Sequence, residues 1–433
     1  MRGGERAFLV DCGMFQGGAD ADRKNRARFA FDPAHIDFVL LTHAHIDHTG
    51  LLPRLVERGF KGPVYATAAT CELLGVMLPD AAHVQERESA PLYSLAQAQA
   101  CLRLLQAIDY ERSIDLGGGM RCRFRDAGHI LGSAIIELRS RDNGAVRKTV
   151  FSGDLGQPGR PIVNDPRCVT EADALMVEST YGNRLHKSLA ATEDELAALL
   201  NDTLARRRGN IVIPAFAVGR TQELLHLLAT LVRSSRVRDP FAVYVDSPLA
   251  TQATRVILKH RDDVDVETRE LIAWGRKNRD SAIQVRFTES LEESKRLKDV
   301  KHGAVIISAS GMCDAGRIKY HLLHNLPRAE STIVFTGFQA AGTLGRRLVD
   351  GARTVRLFGD EIPVRARIAT LGGLSAHADQ EALLGWLRNF RRPPAHTFVV
   401  HGEILAAEAF AQRIRADLGW QVSVPHAGDA ADV

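Results

Sequence analysis

Leu41-Thr42-His43-Ala44-His45-Ile46-Asp47-His48-Thr49-Gly50 places three imidazoles and a carboxylate within six residues, directly after the apolar, strand-like segment Ile36 to Leu41. On an extended stretch, side chains at i and i+2 point the same way, so His43 and His45 are expected to reach one metal ion together. Asp47 and His48 fall where the chain turns into Gly50-Leu51-Leu52-Pro53 and are expected to face a second ion. The bland alternative, four solvated polar residues in a loop, explains neither the spacing nor the strand before it. Neutral imidazole plus carboxylate is the usual ligand set for zinc-like divalent metals.

Two ions need more ligands than this run supplies, and strand ends elsewhere in the chain offer them. His129 lies in Asp126-Ala127-Gly128-His129-Ile130-Leu131-Gly132-Ser133, where the glycines let backbone pass close to a crowded centre. Asp154 ends Val150-Phe151-Ser152-Gly153-Asp154, and His401 ends Thr397-Phe398-Val399-Val400-His401. Each alone reads as a hydrogen-bonded structural residue. Together with the opening run they complete a set: His43, His45 and His129 on one ion, Asp47, His48 and His401 on the other, and Asp154 bridging.

Two divalent ions so placed lower the pKa of a shared water and clamp the oxygens of an in-line displacement, which is hydrolytic chemistry suited to a phosphodiester. The departing alkoxide then needs a proton. Glu178 in Val177-Glu178-Ser179-Thr180-Tyr181-Gly182 and His377 in Leu374-Ser375-Ala376-His377-Ala378-Asp379 are candidates for a carboxylate-oriented imidazole acid, the alternative being a buried structural pair. Asp47, Glu178 and His377 are thus the expected catalytic residues. Asp11, ending the first strand in Leu9-Val10-Asp11, is expected to brace the His43 loop from behind the ligands. Zinc fits the donor types, and manganese can be installed in such a nitrogen and oxygen site.

The 433 residues suffice for roughly two or three domains. No apolar run approaches the ~20 residues that span a bilayer, and Met1 to Arg6 leads into a strand rather than a signal-peptide core, so a cytoplasmic protein with no membrane partner is expected. The six cysteines are scattered without a CxxC pair, which argues against disulfide frameworks and thiolate zinc sites. A formal charge of +4 permits a polyanionic partner without demonstrating one.

The first third alternates short apolar strands with helical stretches, implying a layered fold. From about Asn183 the texture changes. Gly209 to Arg220, Phe241 to Pro248, Gly303 to Gly311 and Ser331 to Gly337 each begin as a near-continuous apolar strand and end in a glycine- or proline-bearing turn that opens a helical pattern. That pattern predicts a parallel sheet covered on both faces. Arg220, Arg317 and Arg346 each fall just after such a turn, where helix starts favour anions, although a single arginine there is more often ordinary surface.

These motifs resemble the β-CASP branch of the metallo-β-lactamase superfamily, which includes RNase J and relatives of the cleavage and polyadenylation specificity endonuclease. THAHIDHTG alone marks the superfamily; VESTYGN with Glu178, LSAHAD with His377 and VVHGE with His401 mark the branch. The resemblance implies an α/β fold, a metallo-β-lactamase αββα sandwich made of residues 1–182 and 371–433, interrupted by a parallel α/β β-CASP domain over 183–370. It implies a ribonuclease acting on single-stranded RNA in a cleft between the two, since RNA-cleaving members carry histidine where His401 stands. Ser310, Gln339, Thr343 and Arg346 are carried over as phosphate contacts, beside Arg220 and Arg317. Relatives usually begin with an extra strand pair, so part of the first sheet is expected to be missing here. Endonucleolytic cleavage leads; 5′-3′ exonuclease action, a small-molecule metallohydrolase and an inactive RNA-binding scaffold are the alternatives, and a homodimer is compatible with each.

Overall fold

In Met120-Arg121-Cys122-Arg123-Phe124 every second residue is apolar, and Met120, Cys122 and Phe124 are buried while Arg121 is exposed. This is the period of a half-buried strand. The computed structural model describes residues 1–433 apart from 17–19, 87–89, 143–144, 279–282, 338, 341 and 433, and its strand here runs Met120–Asp126. The chain divides into two units, Met1–Leu185 with Ala376–Val433, and His186–Ser375.

The first unit contains two sheets. One orders Arg2–Gly3, Arg6–Val10, Phe38–Leu40, Val64–Thr67 and Leu105–Ile108. The other orders Val422–Ser423, His396–Val400, Ala174–Glu178, Ala145–Phe151, Ala134–Asp142, Met120–Asp126 and Ser113–Gly117. Phe8, Phe38 and Leu40 from the first meet Cys122, Phe124, Ile136, Leu138 and Phe151 from the second in one core. On the second sheet's other face, Ile135, Val150, Leu175, Val177 and Val399 pack against Leu383, Leu387, Phe410 and Ile414 of the helices Gln380–Leu387 and Ile404–Leu418. Helix Ala68–Gln85 lies against Val64–Thr67 and Leu105–Ile108. No helix among the described residues is long and apolar enough to cross a membrane.

Where each sheet is parallel, its loops gather at one edge. Val10 pairs with Leu40 in register, and Glu178 with Val400, all in parallel ladders. Asp11, the His43 run, Asp154, Glu178 and His401 therefore sit at or just beyond the carboxyl ends of strands, where open α/β sheets place ligands.

The second unit has one six-stranded sheet, ordered Ile283–Phe287, Phe241–Asp246, Ala304–Ser308, Ile211–Pro214, Thr332–Phe335 and Arg367–Thr370, parallel throughout. Its four central strands read as apolar runs because both their faces are covered, whereas the edge strands Ile283–Phe287 and Arg367–Thr370 are more polar and exposed. Ile211, Ile213, Val305 and Ile307 meet Leu224, Leu227 and Leu228 of one helix, while Val212, Ile306 and Ile333 meet Ile318, Leu322 and Leu348 on the opposite face.

The boundaries fall a few residues later than 182/183 and 370/371. Gln380 donates from its backbone to the Arg184 carbonyl and from its side chain to the Gly182 carbonyl, keeping that strand exit with the first unit. Thr192 donates to the Gly372 carbonyl at 2.8 Å, keeping 372–373 with the second.

One polar anchor lies inside the parallel sheet. Asp246, fully buried at a strand end, accepts from Arg317 Nη1 at 2.7 Å, Ser294 Oγ at 2.6 Å and the Thr288 hydroxyl, and lies 2.6 Å from His321 Nε2. Burial alone would raise its pKa, but these bonds overcome it and hold the carboxyl well below the usual range. A depressed native value stabilises the fold above the unfolded pKa and is lost as pH falls through the native one. Asp246→Asn is expected to cost about 3–5 kcal/mol at pH 7, as when one partner of a buried pair is removed. In denaturant titrations its gap from wild type should begin to close below about pH 4, the unfolded carboxyl range; a gap constant down to pH 2.5 would contradict the ionised-anchor account.

Candidate metal centre

Gly13 shows how tightly the site is built: a Cβ there would lie 1.4 Å from the Asp47 carbonyl oxygen. Only glycine lets this segment run against the turn Ile46–Thr49, where the Cys12 N–H bonds the His48 carbonyl at 2.7 Å and the Met14 N–H that of Ile46 at 2.9 Å. Gly128 has φ +65° and would crowd the Asn164 carbonyl at 2.5 Å if substituted, so it admits the sharp approach to His129.

Two donor groups result. His43, His45, His129 and Asp154 bring ligand atoms within 4.8 Å of one another, and so do Asp47, His48 and His401. In the first, His43 Nε2 and His45 Nδ1 are 3.0 Å apart, His129 Nε2 and His45 Nδ1 3.2 Å, and Asp154 Oδ2 lies 3.4 Å from His43 Nε2 and 3.6 Å from His129 Nε2. In the second, His48 Nε2 and His401 Nε2 are 3.0 Å apart, with Asp47 Oδ2 3.7 Å from the latter. Asp154 Oδ1 lies 3.4 Å from His48 Nε2, so its two oxygens face the two groups separately.

Two tests of fit to a metal are met. Zinc–nitrogen bonds of about 2.0–2.1 Å in a tetrahedron separate ligand atoms by about 3.3–3.4 Å, and the observed spacings bracket that value. Second, the Asp154 side chain is only 1% exposed, yet among the described residues its Oδ1 receives no hydrogen bond. A buried anionic oxygen without a donor is costly unless a cation faces it.

Electrostatics differ between the two groups. In the first, burial holds His43 and His129 well below the ordinary imidazole pKa and takes His45 down to about 4, leaving the neutral ligating form. In the second, burial is outweighed by carboxylates, Asp154 and Asp11 raising His48 well above the ordinary imidazole value and Asp154 and Asp47 raising His401 to about 9, so a metal there would have to displace a proton from each ring. Burial would push Asp154 up, but the imidazoles of His48, His401 and His43 pull it well below the carboxylate range. Asp11 Oδ2 lies 2.7 Å from His48 Nδ1, which turns Nε2 inward, and accepts from Thr42 Oγ1 at 2.8 Å. Thr42 Oγ1 in turn lies 3.0 Å from His43 Nδ1. The brace thus runs directly to His48 and reaches His43 through Thr42, a residue that sequence reading passed over although it stands beside His43 in the motif.

A third group joins Asp154, Glu178 and His377. His377 Nδ1 lies 3.2 Å from both Glu178 oxygens. Glu178 is fully buried and is fixed by the Leu155 N–H at 2.7 Å and the Thr180 N–H at 3.2 Å. Thr180 Oγ1 also lies 3.2 Å from His401 Nδ1. Backbone donors of this kind leave no side-chain signature in a sequence.

The expected phosphate contacts lie in the second unit, on loops bonded to one another. The Leu344 N–H donates to Asp314 Oδ1 and the Gly345 N–H to the Met312 carbonyl. Within them Gln339 donates to the Gly311 and Gly337 carbonyls, Thr343 caps its helix through the Arg346 N–H, and Ser310 donates to the Ala315 carbonyl. Arg220 pairs with Glu223, Arg317 with Asp246 and Arg346 with Asp350. Each of the three cations therefore already has a carboxylate.

Comparison with known proteins supplies independent evidence. Residues 1–206 match the metallo-beta-lactamase superfamily, 221–348 the beta-Casp domain, and 361–425 the Zn-dependent metallo-hydrolase RNA specificity domain. Ribonuclease TTHA0252 of Thermus thermophilus is 37% identical over 431 residues, 99% of this chain and 95% of that protein. Transcription termination factor FttA of Methanocaldococcus jannaschii is 28% identical over 434 residues, 98% of this chain and 68% of that one. The factor of the same name from Methanosarcina mazei is 30% identical, with 92% and 63% covered. The chain thus spans about two thirds of those archaeal proteins.

Asp11→Ala removes a brace while sparing every ligand atom. Competition with a chelator should show metal affinity lowered roughly 10–100-fold, the usual cost of losing such a partner. Unchanged affinity would mean that Asp11 only supports the loop.

Proposed function

This chain belongs to the β-CASP family of the metallo-β-lactamase superfamily, and we propose that it cuts single-stranded RNA internally by hydrolysis at a centre of two divalent ions, zinc by preference. The observation that carries this reading is Asp154 facing two donor groups with Glu178 and His377 alongside. His43, His45 and His129 would hold one ion and Asp47, His48 and His401 the other, with Asp154 between. Such a pair lowers the pKa of a water and polarises the phosphoryl oxygens. RNA as substrate is supported by the RNA specificity domain matched over 361–425, which contains both His377 and His401, and by the ribonuclease name of the Thermus relative.

The protein's own groups do the rest. Asp11 and Thr42 fix the tautomers of His48 and His43 so that the remaining ring nitrogens point inward. Burial pulls the His377 pKa down, but the charges of Glu178 and Asp154 outweigh it and raise the value above that of a free imidazole. Glu178, locked by two backbone N–H groups, keeps the ring aimed as the group that would donate a proton to the leaving alkoxide.

The decisive assay offers the purified protein a circular single-stranded RNA, its linear form and matched DNA with zinc or manganese. Cutting of the circle is expected, since an exonuclease has no end to start from; degradation of the linear RNA alone would assign 5′-3′ exonuclease action, and cutting of DNA alone would sink the RNA reading. His377→Ala should lower kcat by about 10²–10⁴-fold, the usual contribution of a general acid, with metal content unchanged by elemental analysis. Loss of metal from that variant would make His377 a ligand instead. Asp47→Ala should abolish cutting.

A further inference from the structure

We propose that Arg184 is a clamp for an RNA phosphate neighbouring the scissile one, a subsite that rests on the ribonuclease reading above and extends it. Arg184 lies six residues beyond the end of the strand Ala174–Glu178 and is exposed. Among the described residues no carboxylate pairs with it, in contrast to Arg220, Arg317 and Arg346. It is nevertheless not left to wander. Its guanidinium carbon lies 5.3 Å from the centre of the Tyr181 ring, and its Nε donates to Asn183 Oδ1 at 3.2 Å.

The platform beneath it is tied to the centre. Tyr181 forms a parallel β-bridge with Asp379, and its ring centre is 6.2 Å from that of His377. The Arg184 carbonyl accepts from the Gln380 N–H at 3.2 Å, and the Gly182 carbonyl from Gln380 Nε2 at 2.6 Å. Backbone and ring therefore hold a cation on the tyrosine that neighbours the proposed proton donor, by stacking and not by an ion pair. An arginine seated on an aromatic face keeps its charge uncompensated and its planar fork open to the paired oxygens of a phosphate. The bound ions would take the scissile phosphate oxygens, which leaves a flanking phosphate for Arg184. An exposed arginine is ordinarily solvated surface; here the missing counter-ion coincides with a seat on Tyr181, whose ring neighbours His377.

The test compares Arg184→Ala and Arg184→Lys with wild type on a single-stranded RNA oligomer and on a dinucleotide that contains one phosphodiester, across a salt series. On the oligomer, Arg184→Ala should raise KM about tenfold with kcat nearly unchanged, the loss of one charge-assisted contact. The slope of log KM against log salt should fall by about 0.7, one phosphate contact on a single strand. Lysine should keep the slope while losing part of the affinity. Kinetics on the dinucleotide should not change. Equal loss on both substrates would overturn the clamp, because Arg184 would then act on the reacting bond or on the fold; no change on the oligomer would overturn it as plain surface. Binding of labelled oligomer to Asp47→Ala, with and without Arg184→Ala, reads the clamp without turnover: about tenfold weaker binding is expected, and equal binding would refute it. A wild-type protein that binds RNA through Arg184 but cuts none would instead defeat the ribonuclease reading alone.

Discussion

A carboxylate shut away from water is the constraint on which the first unit depends. Asp154 has a 1% exposed side chain, and an uncompensated ion in such a place costs several kcal/mol. The sandwich answers by bringing imidazoles from strand ends of both sheets to within 3.3–3.8 Å of its two oxygens. Because one carboxylate touches every group, the two donor sets are a single electrostatic object: a substitution in either disturbs the other.

Holding the ends of strands so close demands unusual backbone. Asp11 and His401, neither of them glycine, adopt φ of +61° and +51°. Left-handed non-glycine residues cost of order 1–3 kcal/mol and persist where surrounding bonds over-determine them. Both residues are so bound: Asp11 by Thr42 and His48, and His401 through its carbonyl, which accepts from Thr180 Oγ1 at 3.1 Å.

The donor set was legible because its chemistry resides in side chains whose type and spacing leave few alternatives, and strand-end position placed His129, Asp154 and His401 with it. The parallel sheet of the second unit was legible for a different reason: strands covered on both faces cannot alternate, so Ile211 to Pro214 and its companions read as unbroken apolar runs. Bracing was less visible. Thr42 stands inside the motif and could have been found, whereas the N–H groups of Leu155 and Thr180 have no identity in a sequence. The arginines show a further limit. A helix-start arginine reads as anion-suited, but whether its charge is free depends on what lies opposite; Asp246 is 71 residues from Arg317. Glu223 and Asp350, three and four residues along the same helices, gave a sign that was overlooked. Arg184 drew no notice because nothing local distinguishes an arginine with a counter-ion from one without.

The first unit is discontinuous in the chain, and this has a consequence for its synthesis. His43, His45, His129 and Asp154 all precede the second unit, whereas His377 and His401 follow it, and the strand His396–Val400 takes its place between Ala174–Glu178 and Val422–Ser423. A growing chain can therefore assemble one donor group early and yet complete neither the other group nor the Glu178–His377 pair until residues 376–433 emerge. For a protein that cuts RNA and is itself made along an RNA, the order of its parts has a plain result: the centre is not whole until the entire second unit has been made.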